Sequence, residues 1–201
     1  MNLAKAFRRH GHAKVSGLLS REMQSLGRVY MDLSHRSGRM VVSDNEVTAG
    51  QFEQYGALLS ESLLSLLQPL VESIVGDALV PSYSFWRIYG HGAVLRQHVD
   101  RAACEIGVSV TVASEPEDVD WPLWVRGIDG RVRAIGLRSG DGLIYWGTQV
   151  PHWRDSFDGG LQYQMFLHYV RRDGAHACWA HDGREACGLP PIRPSSSAGT
   201  S

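Results

Sequence analysis

The chain has 201 residues, 43% of them hydrophobic, enough for one domain with a sizeable core. Lys plus Arg number 20 and Asp plus Glu 21, a formal net charge of -1, which argues against nucleic acid or an anionic membrane as the main partner. Three cysteines with no CxxC pair argue against a disulfide framework and for a reducing, cytoplasmic setting, with Cys178–Cys187 the one pairing left open.

From the N-terminus, "AKAFRRHGHAKV" reads as a solvated basic face, and no apolar run follows it as a signal peptide requires. From Leu18 to Leu33 the apolar residues Leu18, Leu19, Met23, Leu26, Val29, Tyr30 and Leu33 have helical spacing, and Ser20 can cap the helix. A second, Leu-rich helical region runs from Ala49 to Val75, with Pro69 expected to kink or divide it. No uninterrupted apolar stretch looks long enough to cross a bilayer. After Leu79 the pattern becomes β-prone. Candidate strands lie at 83–89, 104–112, 121–125, 132–137, 140–146 and 161–170, with the turn signal "IDGR" between the third and fourth. Residues 174–188 read as irregular and 189–201 as a disordered tail. The expectation is a single domain over 1–188, mainly β, with a helical region (1–79) packed on a β-sandwich or barrel core (80–173).

Nine histidines are present. His10, His12 and His35 read as surface residues, and His176 and His181 near Cys178 fit no standard zinc spacing. His98 and Asp100 differ, because two residues apart on an extended chain means one face. Downstream, "LRSGDGLIYWGTQVPHWRDSF" (137–157) carries a Gly-Asp turn, an apolar strand and then His152. In a sandwich of short antiparallel strands, a His opening one strand can face an H-x-D pair on another. Two imidazoles and one carboxylate then bind one face of a metal and leave the other open, the usual arrangement of non-haem Fe(II) oxygenases. The plain alternative is an ordinary surface pair, since H-x-D alone is common by chance.

The stretch 82–173 resembles the 2-oxoglutarate/Fe(II)-dependent oxygenase superfamily, in particular its prolyl-4-hydroxylase-like branch. "FWRIYGHGAVLRQHVD" is similar to the family's strand, Gly-containing turn and H-x-D. "SGDGLIYWGTQVPHWRD" is similar to its "PGD" turn, strand and distal His, with Ser139 in place of the Pro, and "YQMFLHYV" to its closing core strand. The resemblance implies a double-stranded β-helix, or jelly roll, supported by helices. It implies Fe(II) held by His98, Asp100 and His152, with 2-oxoglutarate and O2 as cosubstrates and Tyr89 close to the keto acid. It implies conversion of 2-oxoglutarate to succinate and CO2, coupled to oxidation, most often hydroxylation, of a C–H bond. The compact chain favours a small-molecule or carrier-tethered amino-acid-like substrate, with no nucleic acid and no membrane, and a monomer or homodimer. A non-catalytic or cupin-like metal-binding jelly roll that does not use 2-oxoglutarate is the alternative.

One departure matters. Many members carry Lys or Arg about ten residues after the distal His, to pair with the far carboxylate of 2-oxoglutarate. Here that region reads Leu161, Gln162, Tyr163, Gln164. Arg154 shares a strand face with His152 and is the expected replacement, with Arg87 and Arg133 as the other candidates and an Arg154–Asp155 or Arg154–Asp158 surface pair as the bland reading. Arg101 is a candidate substrate contact or a plain surface partner of an Asp or Glu, and Trp153 is a core residue in its first reading and a substrate contact in its second. Trp146, Tyr83, Phe85 and Trp86 are expected to pack the core, Cys104 to be a small buried hydrophobe and Glu105 a paired or exposed acid.

Overall fold

The computed structural model describes residues 2–44, 46–117 and 119–190. Helix α1 (Leu3–His10) opens on Asn2, whose side chain accepts from the Lys5 N–H at 3.2 Å, and closes on Gly11. Strand β1 (His12–Val15) follows, then α2 (Arg21–Arg36), capped by the Ser20 hydroxyl as its sequence suggests (3.3 Å from the Met23 N–H). Next come β2 (Val41–Val42), β3 (Phe52–Tyr55) and α3 (Leu58–Val75). The remaining strands are β4 (Leu79–Gly90), β5 (Leu95–His98), β6 (Ile106–Glu115), β7 (Leu123–Arg126), β8 (Val132–Ile135), β9 (Gly142–Trp146), β10 (His152–Arg154) and β11 (Leu161–Arg171).

All strand pairs are antiparallel, in a seven-stranded sheet of order β1-β9-β6-β11-β4-β3-β2 and a four-stranded sheet of order β5-β10-β7-β8. Alternation along β4, β6 and β11 sends Trp86, Val108, Val110, Met165, Leu167 and Tyr169 to one face of the large sheet. There they form the main core with Leu64, Val71 and Ile74 of α3, Met31 of α2 and Phe7 of α1. A smaller core joins the two sheets through Leu95, Leu123, Val125, Leu143, Tyr145 and Val150. The helices therefore brace one face of the large sheet, and its other face looks toward the small sheet.

The region expected to be helical over 1–79 also contains three strands. The basic N-terminal stretch is not wholly solvated. Ala6 and Phe7 are core residues, and β1 extends the sheet edge beside β9, burying His12 and Ala13. The second helix starts at Leu58, not Ala49, because Phe52–Tyr55 pairs with Ile88–Phe85 of β4. Pro69 does not divide α3. Buried Leu63 and Leu64 before it and Val71, Ile74 and Val75 after it pin both halves to the sheet, which outweighs the cost of about 3 kcal/mol for an interior proline. By length and apolarity α3 could also cross a membrane, contrary to the sequence expectation. It carries a core face and a buried ion pair instead, Glu61 with Arg184 at 2.9 Å. All three cysteines are free thiols, so the open Cys178–Cys187 pairing does not form. Leu189 and Pro190 close the described chain; the rest of the expected disordered tail lies outside the described residues.

Candidate metal centre

Strands β5 and β10 lie side by side with His98 directly opposite His152. Asp100 follows β5, its backbone N–H donating to the Gly147 carbonyl at 2.8 Å. A Cβ at Gly147 would collide with the Cys104 carbonyl oxygen and come within 2.8 Å of Asp100 Oδ2, so only glycine lets the carboxylate loop lie this close. Asp100 Oδ1 stands 3.5 Å from His98 Nε2 and 3.6 Å from His152 Nε2. One ligand atom from each residue lies within 4.8 Å of the others, a group able to hold a metal ion.

The imidazoles are set for this by their far nitrogens. His98 Nδ1 donates to the Arg96 carbonyl at 2.8 Å and His152 Nδ1 to the Val150 carbonyl at 3.0 Å. Each bond places the ring proton on Nδ1 and leaves the Nε2 lone pair facing Asp100. Burial lowers the His152 pKa and Asp100 raises it again, with a net shift downward. Burial raises that of Asp100, but His152 and His98 bring it below the ordinary carboxylate value. Asp100 Oδ2 is buried with no hydrogen-bond partner among the described residues. A free carboxylate oxygen beside two free imidazole lone pairs fits a cation.

A cavity of about 280 Å³ opens on this group, lined by Tyr83, Phe85, Arg87, Arg101, Tyr145 and His168 among others. The ring of Tyr145 packs at 4.7 Å on that of His152, and fits because Gly107 lacks a Cβ that would sit 2.6 Å from its Cζ. A larger groove of about 1030 Å³ lies between Lys14, Arg138 and Asp141. It already pairs Lys14 with Asp141 at 2.8 Å and holds no metal-ligating group among the described residues.

The candidate cations are sorted by position. Arg133 is engaged with Asp129 (2.6 Å) and is not among the cavity residues. Arg87 lines the cavity but is bound to Glu53 (2.5 Å) and donates to the Tyr89 hydroxyl (3.2 Å). Arg154, like Arg133, is not among the cavity-lining residues, but it shares the face of β10 with His152 and is 2% exposed. Its Nη1 donates to the Trp121 carbonyl and its guanidinium lies 4.5 Å over the Trp121 ring, while Nη2 has no partner among the described residues. No carboxylate pairs with it there, so the surface pairs with Asp155 or Asp158 do not form. Burial pushes its pKa down to about 10, with Tyr89 and Tyr145 acting the other way. The expected cation position holds neutral amides satisfied by neighbours: Gln162 Nε2 donates to Gln164 Oε1 (3.1 Å), Gln164 Nε2 to Ser109 Oγ (2.9 Å), and Ser114 Oγ to Gln162 Oε1 (2.5 Å).

Trp153 does not reach the cavity. It sits between His152 and Arg154, so it points to the other face and stacks on Trp124 at 6.2 Å. Arg101 is at the cavity wall, bound to Asp182 at 2.8 Å and lying 4.5 Å over the Tyr83 ring. Tyr83 and Phe85 line the cavity, whereas Trp86 and Trp146 pack in the core as expected. Cys104 is buried beside the Tyr83 hydroxyl (3.0 Å), and Glu105 is buried and paired with Arg171 (2.7 Å). Sequence reasoning missed His168 and Tyr145. His168 is 2% exposed and neither ring nitrogen has a partner among the described residues; burial pushes its pKa down to about 4. The period-two pattern of 161–170 could have found it, because Gln162, Gln164, Phe166 and His168 fall on one face and the core residues on the other.

No family model and no curated protein matches the sequence. Among solved structures the chain is similar to a Pseudomonas putida prolyl-4-hydroxylase (17% identity, TM-score 0.68, 86% of this chain and 100% of that one). It is also similar to the non-haem alpha-ketoglutarate-dependent epimerase SnoN from nogalamycin biosynthesis (14%, 0.73, 95% and 91%). A third is HygX from Streptomyces hygroscopicus, with nickel, 2-oxoglutarate and hygromycin B bound (13%, 0.64, 84% and 86%). The chain has the fold of the 2-oxoglutarate- and iron-dependent oxygenases, prolyl-4-hydroxylase among them.

Proposed function

We propose that this protein is a non-haem Fe(II)/2-oxoglutarate-dependent dioxygenase that hydroxylates a C–H bond of a small molecule. In this reading its two antiparallel sheets are the halves of a double-stranded β-helix. The observation that carries the proposal is the pairing of the His98–Asp100–His152 group with a buried, carboxylate-free guanidinium on the same strand face, Arg154.

His98, Asp100 and His152 would hold Fe(II) through Nε2, a carboxylate oxygen and Nε2. Bound there, Fe(II) with 2-oxoglutarate and O2 supplies the power to oxidise an unactivated C–H bond, releasing succinate and CO2. The Arg96 and Val150 carbonyls keep both imidazoles in the ligating tautomer. Arg154 offers its unpaired Nη2 to the far carboxylate of 2-oxoglutarate, in a dry setting where a charged pair is strong. Tyr89 accepts from Arg87, which leaves its own hydroxyl proton for the same carboxylate. The amides of Gln162 and Gln164 are already satisfied by their neighbours and leave that task to Arg154. A jelly roll that ignores 2-oxoglutarate would have no use for a buried, unmatched cation, which costs stability. Three free cysteines favour a reducing, cytoplasmic setting, and the protein is read as a monomer or homodimer acting on a free or carrier-tethered small molecule.

The test is anaerobic addition of Fe(II) and 2-oxoglutarate, read as the visible charge-transfer band of the chelate. The band is expected with both present and absent with either alone. A folded protein that never shows it is not a 2-oxoglutarate oxygenase.

A further inference from the structure

The inner face of the large sheet divides in two along its strands. One half, toward Arg154, carries Arg87, Tyr89, Gln162 and Gln164, and the other carries Tyr83, Phe85, Phe166 and His168. In that second half the rings stand in register: Phe85 on Phe166 at 4.5 Å, Tyr83 on His168 at 4.7 Å, Phe85 on His168 at 5.7 Å. They make an apolar floor beside the candidate metal centre. Both guanidiniums on the cavity wall are matched, Arg87 by Glu53 and Arg101 by Asp182. Tyr83 is engaged with Cys104. Among the described residues, His168 is left as a buried, cavity-lining ring with both nitrogens unpartnered.

Buried polar groups are almost always hydrogen-bonded, so two orphaned nitrogens on one cavity-lining ring call for a ligand that supplies the missing partner. An uncharged imidazole offers one N–H donor and one acceptor. A hydroxyl, which can donate and accept, matches it; an ammonium or carboxylate would enter a cavity half whose charges are already paired and would lose hydration without return. Resting on the oxygenase reading above, we propose that His168 is the substrate-recognition residue. Its substrate presents an uncharged, mostly apolar ring-sized group bearing a hydroxyl, the apolar part on Phe85 and Phe166 and the hydroxyl on His168. A free amino acid is the wrong chemistry for this half of the cavity.

The test uses protein loaded with Zn(II) and 2-oxoglutarate, so that nothing turns over, and four probes: benzyl alcohol, toluene, benzoate and phenylalanine. Binding is read by protein NMR shifts. Wild type should bind benzyl alcohol about fivefold more tightly than toluene, the worth of one neutral hydrogen bond, and more tightly than benzoate or phenylalanine. His168→Phe should bring the alcohol-to-toluene ratio to about one. His168→Gln, which keeps a donor and an acceptor, should restore part of the preference, which a merely structural role would not do. Equal binding of alcohol and toluene by wild type, a preference that survives in His168→Phe, tighter binding of benzoate or phenylalanine, or no binding of any probe would each overturn the proposal. The chelate band of the wild-type Fe(II) protein is recorded without probes. Its absence counts against the oxygenase reading, while the probe ratios bear on His168.

Discussion

Arg154 lies two residues beyond His152 on β10, pointing to the same side, and is a buried guanidinium that no carboxylate among the described residues neutralises. Strand rise puts their Cα atoms roughly 7 Å apart, about the reach of a dicarboxylic acid held at both ends. Arg87 and Arg101, by contrast, each already hold a carboxylate.

Arg154→Leu should therefore raise the apparent KM for 2-oxoglutarate at least about a hundredfold, since losing one partner of a buried pair costs ~3–5 kcal/mol. Fe(II) binding should persist. The metal-free variant should melt no lower than wild type, because an unmatched buried charge has been removed. Only the rise in melting temperature that 2-oxoglutarate gives the wild type should vanish. Near-normal cosubstrate affinity would move the anchoring role to Arg87.

His98→Ala and His152→Ala should each abolish succinate formation and metal binding. His98 is half-buried at the end of β5 and His152 opens β10, so neither change removes apolar core. Far-ultraviolet circular dichroism should stay that of a folded protein, while added Zn(II) no longer raises the melting temperature. Full turnover in either variant would sink the ligand assignment.

The candidate ligand group was legible from the sequence because H-x-D, a Gly-Asp turn, an apolar strand and a further His follow one another in chain order. Their meeting depends on register, which places His98 opposite His152 and which no local pattern reveals. Arg154 was legible as a face-sharing residue; its lack of a partner was not, because that depends on where Asp155 and Asp158 turn. The period-two rule, applied to Arg154, also sends Trp153 to the opposite face, and applied to 161–170 it sets His168 beside Phe166. Pro69 misled because local propensity is weak against a helix pinned at both ends by core contacts. Strands β2 and β3 are short and pair only with distant or turn-linked partners, so they carry no periodic signal of their own.

Gly147→Ala tests the close approach behind Asp100. The added methyl must push on the Cys104 carbonyl oxygen and on Asp100 Oδ2, and a backbone atom cannot swing aside as a side chain end can. A loss of about 2 kcal/mol or more in stability is expected, together with weakened metal binding. Denaturant titration with and without Zn(II) measures both. Unchanged metal affinity would show that the carboxylate loop has slack.

The metal-free protein should lose stability as pH falls from 6.5 toward 4. His168 and His12 are both held at about 4, with burial the largest cause of each, and burial also lowers His152. In the unfolded chain these rings take up protons near pH 6.5. Between the two values the unfolded chain binds more protons than the folded one, so stability is full above 6.5 and drains away in acid. Each such ring contributes a slope of up to ~1.4 kcal/mol per pH unit across that window. The lowered pKa of Asp100 adds nothing until the pH falls into the carboxylate range, where its loss has the same sign. Urea midpoints at pH 7.5, 6.5, 5.5 and 4.5 measure the slope, and His168→Phe should flatten it by about one proton's worth. Saturating Zn(II) should steepen it, because metal binding to imidazole and carboxylate ligands competes with protons and weakens in acid. A flat profile down to pH 4.5 would mean that these rings take up protons in the folded protein, and that the cavity around His168 is wetter than its packing shows.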